Sequence, residues 1–332
     1  MVKYILKRLL LALLILFSVS IILYFLVRCM PMDFFDQQFA AAVGSGNMSE
    51  QDVLHIKALY GLDDNSFLGI LKGYWSWLSG FLQGNMGHSF IFPASVEEVI
   101  KEKMGISFGI SFVSLILELI IAIPLGIKCA CNQYGKIDYT ATILCMIGMA
   151  FPSFFLGNLL IKWLAVDLGW FDPMGGLVSS NLPQDASMML RFGDMLWHLI
   201  LPITVFVVLN IGSIMRYTRT NTLEVLNADY IRTARAKGLS EGKVIYKHVF
   251  RNTMIPLITM LTFTLPTLFG GAMITEEVFN MPGIGQAAYQ ALQKGDVPLI
   301  MGYNMFIAAL TVTGVLISDI MYAVVDPRVK LA

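Results

Sequence analysis

The chain has 332 residues, 56% of them hydrophobic and only 14% charged, with a mean hydropathy of +0.69. A soluble domain carries about a quarter charged residues, so this composition excludes one and specifies a chain embedded in a bilayer. The formal net charge is zero, so the sign of the charge has to be read loop by loop.

Lys3, Lys7 and Arg8 precede an apolar run that predicts a first span over about 9–28. That run has the length a bilayer demands and exceeds a signal-peptide core. No small-residue cleavage site follows, so the N-terminus is expected in the cytoplasm, ahead of an uncleaved span. Residues 29–104 form an outer segment in which carboxylates outnumber lysines. Within it Tyr74, Trp75, Trp77, Leu78, Phe81 and Leu82 predict a short helix lying in the membrane interface, where aromatic side chains concentrate.

The second span, about 106–128, holds Glu118, the only carboxylate deep in a membrane segment. An ionisable residue there points to a substrate pathway, and otherwise to a hydrogen bond with a neighbouring helix. At its start Gly105-Ile-Ser107-Phe-Gly109 matches the pattern of a hydrolase nucleophile, but no strand precedes it and the context is wrong. The third span, about 139–166, contains Pro152 and Ser153. Pro152 removes a helical hydrogen bond, so a kink or an unwound turn is expected, and such breaks line cavities in membrane proteins. Lys162 is expected to snorkel outward. Residues 167–196 lie outside again, and the fourth span, about 197–215, opens with His198 as a headgroup-level anchor.

Residues 216–252 are basic. Arg216, Arg219, Arg232, Arg235, Lys237, Lys243, Lys247 and Arg251 stand against Glu224, Asp229 and Glu241, which marks a cytoplasmic loop. From Thr222, Leu223, Val225, Leu226, Tyr230, Ile231 and Ala234 recur at roughly helical spacing. Gly238 then supplies the left-handed residue that ends a helix, and Ser240 can cap a second one carrying Val244, Ile245, Val249 and Phe250. The expectation is a cytoplasmic helical hairpin with Gly238 at its tip. Both ends run into spans, which argues against a nucleic-acid reader. A basic loop that only fixes topology is the plain alternative.

The fifth span, about 253–276, carries Pro256, Pro266, Gly270 and Gly271, a density that allows bending. Pro282-Gly283-Ile284-Gly285 follows outside, and the sixth span covers about 299–324 before Asp326-Pro327-Arg328 at the inner end. The predicted fold is an all-α integral membrane protein of six transmembrane helices, one permease domain over 1–332 with both termini cytoplasmic.

The segment from Tyr230 to Ile258, together with Phe151-Pro152-Ser153-Phe154, Pro282-Gly283-Ile284-Gly285 and Asp326-Pro327-Arg328, resembles the peptide/nickel permease family of ABC importers. It is similar to the first permease of dipeptide and oligopeptide uptake systems. The Glu-Ala-Ala triplet of the family's coupling loop is absent, its place taken by Arg232, Thr233 and Ala234, as is typical of the peptide branch. The resemblance implies a type I importer fold in a bacterial cytoplasmic membrane and a homologous second permease. It also implies two cytoplasmic ATPase subunits carrying ATP and Mg, and an extracytoplasmic binding protein that delivers peptide. Arg232, Ala234, Arg235, Lys237, Gly238 and Leu239 are then expected to couple to an ATPase. Glu118, Pro152, Ser153 and Pro266 are expected on the substrate pathway.

No phosphate-cradling G-x-x-x-x-G-K-[ST] and no H-E-x-x-H occurs, so this chain is expected to bind no nucleotide, cofactor or metal and to catalyse nothing itself. A nickel or metallophore importer is an alternative within the same family. A stand-alone secondary transporter is the alternative outside it, and it would need internal repeats and paired intramembrane charges.

Overall fold

A computed structural model describes residues 2–29, 32–60, 66–179, 181–183, 185–264 and 267–325. The elements in chain order are α1 (Val2–Arg28), α2 (Met32–Gly44), α3 (Glu50–Tyr60), α4 (Phe67–Leu82) and α5 (Val96–Cys131). After a short turn come α6 (Lys136–Ala150) and α7 (Ser153–Leu160), the latter extended by a π-helical stretch to Asp167. Then follow α8 (Met188–Leu226), α9 (Asp229–Ala236) and α10 (Glu241–Lys243). A second π-helical stretch, Val244–Val249, leads into α11 (Phe250–Thr264). The chain continues through α12 (Thr267–Gly270), α13 (Met273–Val278), α14 (Ile284–Lys294) and α15 (Val297–Val325).

Among the described residues α1, α5, α8 and α15 are long and apolar enough to cross a bilayer, and α6 with Ser153–Asp167 passes the same test only as a pair, bent by 99°. The bend falls at the predicted place. Phe151 and Pro152 are extended, because a proline ring clashes with a helical residue before it and lacks the N–H the helix needs. The expected fifth span over 253–276 is not one continuous helix. It is divided into α11, α12 and α13, with Gly271 in the left-handed region between the last two. Pro266 lies outside the described residues, as does the Asp326-Pro327-Arg328 ending.

The chain folds as two compact units. The first comprises Met1–Ser107, Leu265–Met273 and Pro282–Ala332, and the second Phe108–Thr264 and Ile274–Met281. In the first, α1 packs along α15, and α4 packs on α1 and α3. Trp77 is 1% exposed among Tyr24, Phe39, Tyr74, Phe90 and Met301. The Tyr74 ring meets the Tyr24 ring edge-on at 5.5 Å. Ser20 donates to the Phe17 carbonyl at 2.7 Å, leaving its oxygen to accept the Tyr74 hydroxyl at 2.8 Å. Within the expected interfacial stripe of α4, Tyr74 and Trp77 are thus core, while Trp75, 59% exposed, and Leu82 face outward. Asp296 is fully buried at the start of α15, where one oxygen accepts the Leu299 N–H at 3.1 Å. Its other oxygen accepts the Ser89 hydroxyl and the N–H groups of Phe90 at 2.8 Å and Ile91 at 3.1 Å, which pins the 88–95 loop.

In the second unit α6, α7 and α11 pack against α8. The α6–α8 approach depends on Gly148, where a Cβ would stand 2.7 Å from the Val208 carbonyl oxygen. Small residues permit such close backbone contact in membranes, where no hydrophobic force drives helices together. His198 is buried, with Nδ1 2.9 Å from the Asp194 carbonyl and the Asp172 and Asp194 carboxylates within 4.0 Å. Lys162 turns to Asp167 at 2.7 Å.

Candidate functional site

The basic segment folds as a hairpin, with one change from the expectation. Its first helix does not begin at Thr222. The span helix α8 runs on as far as Leu226, and the chain breaks at Asn227-Ala228 before α9 starts. The break is stabilised locally, since the Asn227 amide donates to the Leu223 carbonyl at 3.0 Å. Helix α9 ends in a Schellman motif: the Leu239 N–H donates to the Ala234 carbonyl at 3.4 Å and the Gly238 N–H to Arg235 at 2.9 Å. Gly238 stands at φ +75° with nothing within 4 Å of where a Cβ would be, so its conformation and not crowding requires glycine. Ser240 precedes α10, but its side chain makes no capping hydrogen bond.

The hairpin has its own small core of Ile231, Ala234, Val244 and Val249, with Val225 and Leu226 packed against it. Ala234 is therefore turned inward, 6% exposed, and cannot present its side chain to a partner. That corrects its expected place on a docking surface, because the position follows the apolar stripe of α9. Arg232, Lys237, Gly238 and Leu239 lie on the outside. Arg235 bridges the turn, donating from Nε to Glu241 Oε1 at 2.8 Å and from Nη2 to Oε2 at 3.3 Å. Tyr230, placed by its spacing on the apolar stripe, is 49% exposed, and with Tyr246 it adds aromatic surface to the hairpin.

Behind the hairpin sits a pairing that the sequence did not reveal. Arg219, late in α8, donates from Nε and Nη2 to the two oxygens of Asp138 at 2.6 and 2.7 Å. Asp138 is 3% exposed and also accepts the Tyr134 N–H at 2.9 Å. A fork-to-fork ion pair is the strongest and most directional polar contact available to these residues. It fixes the α5–α6 turn to α8 about two turns before that helix ends at Leu226.

Of the residues expected on a pathway, Glu118 is 5% exposed, and its Oε1 accepts the Asn210 amide from α8 at 3.4 Å. Pro152 and Ser153 form the corner of the bent span. Among the described residues no hydrogen bond or ion pair joins Glu118 to this corner. Ser107 accepts the Ile284 N–H at 2.9 Å, capping α14 from another part of the chain, and so belongs to the packing of the first unit. No cluster of three or more His, Cys, Asp or Glu able to hold a metal occurs among the described residues.

Known proteins match the chain over most of its length. Residues 122–331 match the model for the binding-protein-dependent transport system inner membrane component, and residues 1–111 match its N-terminal companion. The oligopeptide transport system permease protein AppB of Bacillus subtilis (strain 168) is 37% identical over 331 residues, which is 99% of this chain and 100% of that one. A protein of Brucella suis biovar 1 (strain 1330) described as a peptide permease is 34% identical over 332 residues, 100% of both chains. A solved inward-facing structure of the MetNI methionine ABC transporter aligns with a TM-score of 0.51 at 18% identity. The alignment covers 69% of this chain and 97% of that one.

Proposed function

The chain belongs to the family of binding-protein-dependent transport system inner membrane components, and we propose that it carries peptides across a bacterial cytoplasmic membrane. Family membership sets aside a secondary transporter working alone, since these are membrane components of ABC importers. The peptide names of its relatives favour peptide over nickel or a metallophore as cargo.

In this proposal a homologous second permease completes the pathway, and an extracytoplasmic protein delivers the peptide. Two ATPase subunits, which hold the ATP and Mg, sit on the cytoplasmic side, where both termini of this chain also lie. The basic excess of 216–252 supports that orientation. The observation that carries the mechanism is the continuity of α8, 39 residues from Met188 to Leu226, ending directly at the hairpin. A push on the hairpin therefore moves a whole membrane helix, with no flexible loop between them to absorb it. The internal core keeps the hairpin rigid, and the Asp138–Arg219 pair recruits α6 to the same movement. A rigid-body shift of packed helices is the usual form of such transitions.

Arg232, Lys237, Gly238 and Leu239 form the proposed docking face, with Arg235 held in place by Glu241. Ala234 contributes from beneath, by keeping α9 close to Val244 and Val249. Pro152 and Ser153, at the corner between α6 and α7, are proposed to line the pathway, and Glu118 to reach it when α5 and α8 separate.

The test is Gly238→Trp in the full complex, compared with Gly238→Ala. Both strain the left-handed position, but only the first adds bulk to the docking face. The expected result is normal membrane insertion for both and loss of binding-protein-stimulated ATP hydrolysis and peptide uptake for the Trp variant alone. Unchanged uptake by Gly238→Trp would overturn the coupling role.

A further inference from the structure

A groove of about 580 Å³ runs along the second unit between α5, α6 and α8. Its walls are almost wholly apolar: Leu125, Ala141, Leu144, Cys145, Val208 and Ile211. Such a volume falls in the range of small-molecule sites. The one charged group in the lining is Lys136, the first residue of α6. Around it α6 exposes Ile137, Tyr139, Ile143, Leu144 and Ile147, so the groove opens on a greasy face.

We propose that this groove binds an anionic phospholipid, with an acyl chain along the apolar walls and the phosphate at Lys136. Two features set the choice of occupant. Lys136 makes no hydrogen bond or ion pair among the described residues, so its ammonium is available at the end of an apolar channel. It also begins a helix whose N-cap, Gly135, offers no side-chain acceptor, and the free N–H groups of a helix start favour negative charge. An apolar slot closed by a cation and a positive helix end complements a molecule with a long apolar tail and an anionic head. A neighbouring membrane helix would supply the tail's contacts but no anion. Basic pockets between transmembrane helices on the cytoplasmic side take such headgroups. With the orientation proposed above, the lipid comes from the inner leaflet.

The site has a consequence for coupling. Lys136 lies two residues before Asp138, whose carboxylate is committed to Arg219 and the Tyr134 N–H. A lipid phosphate at Lys136 braces the same α5–α6 turn from its outer side, so occupancy stiffens the support behind the hairpin.

The experiment places a reporter on the rim with Leu144→Trp, in the complete complex reconstituted into nanodiscs, and subtracts the signal of the parent complex. Quenching by brominated phosphatidylglycerol is compared with quenching by brominated phosphatidylcholine. One basic group near a membrane surface is worth about 1 kcal/mol toward an anionic lipid, so the preference for phosphatidylglycerol should be about fivefold. Lys136→Glu should abolish that preference and Lys136→Arg should keep it. Equal quenching by the two lipids, or a preference that survives Lys136→Glu, would overturn the assignment. Absence of quenching by either lipid would do the same, by showing that a protein helix covers the groove.

Discussion

Asp138→Asn isolates the polar contact on which the proposed transmission rests. The substitution keeps the shape of the side chain and removes the charge that faces Arg219 at 2.6 and 2.7 Å. Breaking a fully buried ion pair costs about 3–5 kcal/mol, because the remaining charge is left uncompensated. The Arg219 side chain is 22% exposed, so water relieves part of that cost and about 2–3 kcal/mol is expected here. Replacing both partners by apolar residues of similar size, Asp138→Leu with Arg219→Met, should cost less than either single change, since no orphaned charge remains. The assay is detergent-titrated unfolding of the purified complex, followed by tryptophan fluorescence, for the two single variants and the double. A coupling energy of about 2 kcal/mol is expected from the cycle. In parallel, peptide taken up per ATP hydrolysed should fall in Asp138→Asn while the ATPase subunits remain bound. Two results would refute the reasoning: a single-variant cost below about 0.5 kcal/mol, or a double variant as damaged as the sum of its parts.

Gly238→Ala should cost about 1–2 kcal/mol through the left-handed backbone alone, because nothing stands within 4 Å of the new methyl, and Gly238→Asn should cost less. Thermal melts of the two variants check the order. Trp77→Ala should lose about 3–5 kcal/mol by opening a cavity in the first unit, whereas exposed Trp75→Ala should change stability by less than about 0.5 kcal/mol. Ser107→Ala orphans a buried N–H of Ile284 and should cost about 1–2 kcal/mol, while a serine-directed fluorophosphonate should leave the parent chain unlabelled. Asp52 accepts the N–H and hydroxyl of Ser49 at the start of α3, and these bonds hold its carboxyl below the usual range. Its contribution is present above the ordinary carboxylate pKa of about 3.9 and is lost as pH falls through the depressed value. Protection factors of the α3 amides, with the intrinsic exchange rate divided out, should therefore fall in acid, and Asp52→Asn should remove that dependence.

What the sequence revealed was local. The apolar runs around α1, α5, α8 and α15 announce themselves by length and composition, Pro152 by its missing donor, and Gly238 by the backbone angle only glycine adopts freely. Where the reading went astray, a distant contact or a continuing helix decided the outcome. Arg219 and Asp138 are 81 residues apart, and Ser107 and Ile284 are 177 apart, and no periodicity connects either pair. On α4 the burial of Tyr74 and Trp77 depends on Tyr24 of another helix, which no spacing within α4 reveals. Helix α8 was expected to stop where charge begins, at Arg216, yet arginine is a good helix former and the helix continues to Leu226. Ala234 takes the last place of the coupling-loop triplet, yet its spacing from Ile231 puts it on the inner stripe of α9.

The central claim is that the exposed tip of the hairpin meets an ATPase. A photo-crosslinking residue in place of Lys237, activated in membranes that contain the whole importer, tests it most directly. The account predicts an adduct with a nucleotide-binding polypeptide, formed more readily from Lys237 than from a control position on the lipid-facing side of α1 such as Leu10. An adduct confined to lipid or to this chain itself, in membranes that take up peptide at the normal rate, would contradict it.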